Sequence, residues 1–420
     1  QSPIPNPQSP IPNPQHNKNF IFFIEFENMK FFQNSFYLLI SLIFLSQTII
    51  CFQNNKFLSF SEESFSKEYL NLVNYIKSYG GYINPKLSIN EISSTNRYVL
   101  AKENINKNEI LLFVPEKVLI SKLHVNVNRK CNEAYGFQED HDYDCLVYFL
   151  TIDKYNSSSM FKPYYDYLPK IDKNDFIISL TKEEIKKYDK TGIIDGLHQF
   201  YHFFNLSLEP VEEKLKIFAK KQKIKYEQIL EEFLINFILV GTRNFGRPDY
   251  FADFSTLVPY LDLLNHSDKN NTHWYYDEIK SGYFLIAVKD IKKNEEVTDS
   301  YGKYFNSYLF QTYGFVIPGN SVHDRLYTRI NKNLVRLDLD FIDDTIYHIF
   351  DKYNYDIINF DVAKKEVINS LFERKKYFEN LKTEKFALKV IFKEYIEILD
   401  VYINKIQLIN SSYVQNFKKK

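Results

Sequence analysis

Between Tyr260 and Phe315 the sequence sets short polar motifs around apolar runs in an order that leaves few folds open. It begins YLDLLNHSDKNNTHWYYDE, continues through YFLIAVKDIKKNEEV and ends DSYGKYFNSYLFQTYGF. Asn265-His266-Ser267 and Tyr301-Gly302 flank a strand–turn–strand pattern, and Tyr313-Gly314-Phe315 closes the stretch. Apolar runs this short with polar turns between them build small sheets. Val258 to Leu264 is apolar except for Asp262, and a carboxylate in such a run is either paired or placed for function. Taken alone, Asn265-His266-Ser267 reads as a cap or turn. Taken alone, Tyr301 and Tyr313 read as packing aromatics whose hydroxyls need partners once buried. No GxSxG nucleophile elbow occurs, which argues against hydrolase chemistry of that type.

The chain has 420 residues, room for two or three domains. It carries 38 Phe and 33 Tyr against 11 Gly, so core material is ample and long helices are expected. Lys plus Arg and Asp plus Glu are 53 each. A sequence-independent grip on nucleic acid needs a basic excess, and the only basic run is Lys418-Lys419-Lys420. Direct nucleic-acid binding is therefore not expected. The three cysteines are Cys51, Cys131 and Cys145. None lies in a CxxC or in zinc-finger spacing, so no metal site is expected. A Cys131–Cys145 disulfide requires an oxidising compartment.

Residues 1–28 open with QSPIPNP twice, a Pro-rich repeat that forms neither helix nor sheet core and is expected to be disordered. Residues 29–55 read as a signal peptide or membrane anchor: Met29-Lys30 precedes the apolar run Phe36 to Leu45 and then Thr48 to Phe52. Membrane contact through residues 36–52 and entry to the secretory pathway or an endomembrane organelle follow if the leader functions. Otherwise the location is cytoplasm or nucleus. Asn156, Asn205, Asn265, Asn270 and Asn410 begin N-glycosylation sequons. A glycan on Asn265 would block the site described below.

Ser64 to Tyr79 has the apolar spacing of an amphipathic helix ended by Gly80-Gly81. Tyr98 to Ala101 and Glu109 to Val114 read as strands around the turn Asn106-Lys107-Asn108, the second stopped by Pro115. The turn has an echo: Glu103 to Glu109 resembles Asp290 to Glu295, each with an acid and an Ile before a polar turn and an Asn-Glu pair before a strand. Leu197 to Leu206 and Val211 to Gly241 read as helices, Gly241 ending the second. Arg243 and Arg247 share a face if that helix continues, and together they suit a carboxylate. Ile342 to Lys352, Val362 to Tyr377 and Thr383 to Leu408 read as helices.

The central stretch resembles the C-terminal half of a SET domain, in particular that of the Rubisco large-subunit lysine methyltransferase family. The residues that carry this are Asp262-Leu263-Leu264-Asn265-His266-Ser267, Asn294-Glu295-Glu296-Val297, Tyr301-Gly302, Asn306-Ser307 and Tyr313-Gly314-Phe315. Arg243 upstream, the first hairpin ending Phe113-Val114-Pro115, and Asn320 to Arg325 are similar in the same order. The resemblance implies an α+β fold: small SET-type β-sheets, a helical insertion and a C-terminal helical substrate-binding domain. The expected divisions are 65–135 and 241–320 for the two SET lobes, 136–240 for the insertion and 321–420 for the helical domain.

The same resemblance implies S-adenosyl-L-methionine as cofactor and a protein substrate, with lysine the expected acceptor. Asn265, His266 and Arg243 match cofactor-binding positions. Asp262 and Arg247 match positions facing the substrate. Tyr313 matches the tyrosine beside the transferring methyl, and Tyr301 lines the same channel. A monomer is expected. Three alternatives stand: histidine as acceptor, a degenerate SET fold that only binds a protein, and a membrane-anchored structural protein. The family's Gly-x-Gly-like turn is replaced here by Thr95-Asn96-Arg97-Tyr98, which bears on how closely the backbone approaches a cofactor.

Overall fold

The computed structural model describes residues 65–93, 96–136, 142–246, 254–320, 323–330, 333–352 and 360–413. The Pro-rich repeat, the leader with Cys51, Thr95, Arg247 and the lysine tail lie outside the described residues. The fold is α+β. Its strands in chain order are β1 (Tyr82–Ile83), β2 (Leu87–Glu91), β3 (Arg97–Ala101), β4 (Ile110–Pro115), β5 (Ile120–Ser121), β6 (Asn244–Phe245) and β7 (Thr256–Leu257). They continue with β8 (Asn265–His266), β9 (Thr272–Asp277), β10 (Gly282–Ala287), β11 (Thr298–Asp299), β12 (Arg325–Ile330) and β13 (Asn333–Asp338).

A sheet in the order β1-β4-β10-β9 joins the two halves of the chain, with Leu112 opposite Leu285 and Phe113 opposite Phe284. Leu112, Val114 and Leu285 are buried there, and the Phe113 and Phe284 rings lie 4.6 Å apart on the other face. This is the inside–outside alternation that a sheet with one buried face imposes. Smaller sheets pair β2 with β3, β5-β7-β6, β12 with β13, and β8 in parallel with β11.

The two echoing turns of the sequence sit against each other. Ile105 and Ile291 exchange both backbone hydrogen bonds at 2.9 Å, and each is 1% exposed. Lys107 N–H donates to Asp290 Oδ1 at 2.8 Å, and Lys293 N–H donates to Asn104 Oδ1 at 2.9 Å. Asn108 and Asn294 adopt the left-handed conformation with φ of +69° and +67°, where asparagine is tolerated better than most residues. Their N–H groups donate to the carbonyls of Ala287 and Ala101, both at 2.7 Å. Like residues thus fill like roles about a local two-fold relation.

The helices differ from the sequence reading in two places. Val211 to Gly241 is not one helix. Glu212–Gln222 ends where Lys223 turns left-handed at φ +59°, and Tyr226–Arg243 follows. Gly241 does not end that second helix; a Cβ there would lie 3.1 Å from the Tyr143 hydroxyl, so the glycine makes room for a neighbour. The helix stops at Arg243 and the chain becomes β6. Arg243 and Arg247 therefore do not share a helical face. Cys131 and Cys145 are joined, with their Cα atoms 5.2 Å apart, inside the usual range for a disulfide.

One hydrophobic core runs from Tyr69 to Val297. A second gathers Leu326 to Ile409 and also draws in Ile177 to Leu197, so that stretch packs with the C-terminal helices. In this second core the buried Tyr402 hydroxyl donates to the Asp338 carbonyl at 2.7 Å and accepts from the Asp338 N–H at 3.1 Å, fastening the helix Phe386–Leu408 to β13. Tyr402→Phe leaves a buried carbonyl and a buried N–H without that partner. It is expected to lower stability by about 1–3 kcal/mol, read from urea unfolding of the two proteins, and a midpoint unchanged from wild type would contradict this fastening role.

Candidate active site

Asp262 sits on a single helical turn, Leu261–Leu263, entered through Tyr260, which is buried at φ +72°. A bulky residue is strained in that conformation. It is held by packing and by a hydroxyl contact with Tyr69 at 3.1 Å. The Asp262 side chain is fully buried. Its Oδ2 accepts from the Tyr164 hydroxyl at 2.8 Å and lies 3.3 Å from Arg243 Nη1. The same Nη1 donates to the Asp262 carbonyl. Burial raises the Asp262 pKa, while Arg243, Tyr164 and then Arg97 oppose the rise. Asp262 Oδ1 and Arg243 Nε are buried without hydrogen-bond partners.

Asn265 and His266 form β8, and its parallel register with β11 sets Asn265 beside Thr298 and His266 beside Asp299. Asn265 Nδ2 donates to the Arg97 carbonyl at 3.2 Å and to Glu296 Oε1 at 2.9 Å. One amide thus ties together β8, β3 and the strand approach to β11. His266 Nδ1 accepts from the Tyr301 N–H at 3.0 Å, so that nitrogen carries no proton and the neutral ring is protonated on Nε2. Burial lowers the His266 pKa, and Asp268, 3.3 Å from Nε2, opposes the fall. The motif is a strand, not the cap or turn it suggests alone.

The aromatic rings close the site. His266 and Tyr301 have centroids 5.3 Å apart, Tyr301 and Tyr313 5.1 Å, and His266 and Phe315 6.0 Å. Tyr313 caps the helix Asn306–Thr312, and Gly314 follows at φ +76°, which turns the chain so that Phe315 returns to the cluster. The Tyr301 hydroxyl donates to the Leu264 carbonyl at 2.7 Å. The Tyr313 hydroxyl has no hydrogen-bond partner among the described residues. Burial is the first cause that raises both phenol pKa values, so both remain protonated at neutral pH.

Arg243, Asp262, Asp299, Tyr301 and Tyr313 line one pocket. Asn265 and His266 stand at its flank, joined to it through Tyr301 and β11. Arg247 lies outside the described residues. Sequence reasoning missed Tyr164, Asn244, Trp274 and Asp299. Tyr164 comes from a distant helix and carries no local signal. Asp299 does carry one, as an acid two residues before Tyr301 in a run that becomes buried. Arg97, in place of a glycine, folds its guanidinium over the Tyr167 ring at 4.3 Å and donates to the Tyr167 carbonyl at 2.6 Å.

Comparison with known proteins agrees with this architecture. Residues 96–302 match the SET domain model. The N-lysine methyltransferase setd6 of Xenopus tropicalis is 25% identical over 260 residues, covering 58% of this chain and 56% of that protein. The ribosomal lysine N-methyltransferase set11 of Schizosaccharomyces pombe is 24% identical, covering 59% of this chain and 61% of its own length. The chain thus spans a little over half the length of the curated relatives it matches. Among solved structures, Rubisco LSMT bound to AdoMet superposes with a TM-score of 0.55 at 16% identity, over 82% of this chain and 92% of that one. Motif order, strand topology and these likenesses agree: residues 96–302 form a SET domain.

Proposed function

We propose that this protein transfers a methyl group from S-adenosyl-L-methionine to a side-chain nitrogen of a protein substrate, with lysine the acceptor. The single observation that carries this is the unpartnered Tyr313 hydroxyl in a pocket that Tyr301, Asp262 and Arg243 also line. The relatives named lysine methyltransferases and the solved structure holding AdoMet support the same reading.

The residues fit the cofactor. Arg243 Nε and Arg97 Nη2 are buried donors without acceptors, a shortfall that an anionic group such as a carboxylate relieves. Asn265, His266 and Arg243 would hold the molecule, which supplies an electrophilic methyl group on sulfur. The Arg97 side chain is anchored on Tyr167, and its carbonyl lies within reach of Asn265. This favours an active enzyme over a domain that only binds protein. Asp262, which lines the pocket, faces the substrate in this reading; Arg247, the other expected substrate residue, lies outside the described residues.

Methyl transfer from a sulfonium is an in-line displacement, and the protein's part is to position two reactants and exclude water. Tyr301, fixed through its hydroxyl to Leu264, forms a wall of the channel. The Tyr313 hydroxyl oxygen stabilises an electron-poor methyl in the transition state. The aromatic lining disfavours a charged ammonium and so favours the neutral amine that attacks. Incubating the full chain with labelled S-adenosyl-L-methionine and a cell lysate, then mapping the modified residue, tests the reading and separates lysine from histidine. Calorimetry showing no cofactor binding would remove it.

Tyr313→Phe is expected to lower kcat by about tenfold or more, roughly 1.4 kcal/mol in the barrier. Cofactor affinity should stay within about threefold of wild type, because the interaction is made in the transition state. Equal losses in both would contradict the role given to this hydroxyl.

We further propose that residues 29–52 direct the chain to the secretory pathway or an endomembrane organelle, with membrane contact through residues 36–52, and that it acts as a monomer. The Cys131–Cys145 pairing supports this, since such bonds persist in oxidising compartments. So do the exposed sequon residues Asn156, Asn205 and Asn410. Fractionation of a tagged full chain, with and without glycosidase, is expected to show it in membranes and to shift its size. Wholly cytosolic, unshifted protein would overturn the assignment.

A further inference from the structure

We propose that Asp299 takes the proton from the incoming substrate ammonium and is a catalytic base of the pocket. The inference rests on the methyl-transfer reading above and adds the one group that reading lacks, an acceptor for the proton a lysine must lose.

Three features of the molecule lead to Asp299. First, its place: it is the second residue of β11, 7% exposed, and lines the pocket with Tyr301 and Tyr313. Its charge is felt by the Tyr301 phenol, as are those of Arg243 and Asp262. Second, its surroundings: Trp274 lines the same pocket, and its only polar donor is the indole N–H. The nearby guanidinium of Arg243 is engaged with Asp262. Third, its titration: burial pushes its pKa up to about 7, while the nearby Ser300 N–H and Trp274 side chain pull it down.

Other titratable groups around it are accounted for. His266, its register partner on β8, accepts from the Tyr301 N–H and has Asp268 3.3 Å from its Nε2. His273 precedes Trp274 on β9 and points to the opposite face by strand alternation. Glu296, upstream of β11, is bound to Asn265. Asp262 is paired with Arg243 and Tyr164. Asp299 is thus the pocket carboxylate with no cation paired to it among the described residues, whereas Asp262 is paired with Arg243.

The chemistry balances. The ammonium gives one proton to an Asp299 oxygen, leaving a neutral amine and a neutral carboxylic acid. The amine lone pair forms the nitrogen–carbon bond as the carbon–sulfur bond breaks, and that electron pair stays on sulfur. The product leaves as a methylated ammonium, and the Asp299 proton passes to water when the pocket opens. An ordinary aspartic acid is far too weak a base to hold a lysine proton. A carboxylate raised by burial and an ammonium made more acidic by aromatic walls bring the two pKa values toward each other, which is the condition for efficient proton transfer.

Trp274 is the only tryptophan in the chain, so its fluorescence reports on Asp299 without any ligand. Titrating the full chain is expected to show one emission change centred near pH 7, absent in Asp299→Asn and retained in His273→Asn, whose own pKa burial lowers below the ordinary histidine value. Single-turnover methyl transfer across pH 5.5–9 is the second arm, in which wild type loses rate as pH falls through about 7 because the base is then protonated. Asn at 299 should cut the pH 7 rate by about tenfold or more and move that limb upward by about a unit or more, toward the amine's own pKa. Trp274→Phe removes a neighbour that favours the charged form and should also move the limb upward. It keeps the test open should Asp299→Asn fold poorly. If wild type transfers methyl but Asp299→Asn keeps its pH profile, or if the emission change survives that substitution, the role of Asp299 is wrong and the methyl-transfer reading stands. If wild type transfers no methyl at any pH, both fall.

Discussion

The two-residue parallel pairing of β8 with β11 is the constraint on which the site depends. Its register fixes Asn265 beside Thr298 and His266 beside Asp299. From that follow the Tyr301 N–H bond to His266 Nδ1 and the Tyr301 hydroxyl bond to the Leu264 carbonyl. A slip of one residue would reverse the faces of all four side chains. So short a ladder cannot hold its own register, and the Asn265 amide, bridging the Arg97 carbonyl and Glu296, supplies part of the restraint.

A second layer of restraint comes from the paired turns. Ile105 and Ile291 form a buried bridge, and two left-handed asparagines donate to the strand ends on either side. This anchors β3 and the approach to β11 in one rigid frame, which brings Arg97 to Asn265. The central sheet, with β4 from the first half beside β10 from the second, holds the halves together through a common apolar face. Rigidity of this sort suits a reaction whose rate depends on alignment.

Buried charge is the cost of the arrangement. Asp262, Arg243 and Tyr164 form a small network in which one carboxylate oxygen and one guanidinium nitrogen lack partners. Unsatisfied buried polar atoms are destabilising, and three residues of this pocket, Arg243, Asn244 and Asp262, carry them. The second core joins its helices to β13 through Tyr402.

The candidate site residues from Arg243 to Tyr313 came from the resemblance to a SET domain. Local pattern was enough to identify the strand–turn–strand of β9 and β10, the C-terminal helices and the likeness of the two turns, because alternation, helical spacing and turn chemistry act over a few residues. It misjudged Gly241, whose reason is the Tyr143 hydroxyl from another helix, and it ran one helix through Lys223. Tertiary structure alone decided that the Asn-His motif is a strand, that Tyr164 reaches Asp262 across 98 positions, that Ile177 to Leu197 joins the second core, and that Asp299 is buried against Trp274. Each of these rests on contacts between segments far apart in the chain, and desolvation, which sets the charge of a buried acid, exists only once those segments have closed around it.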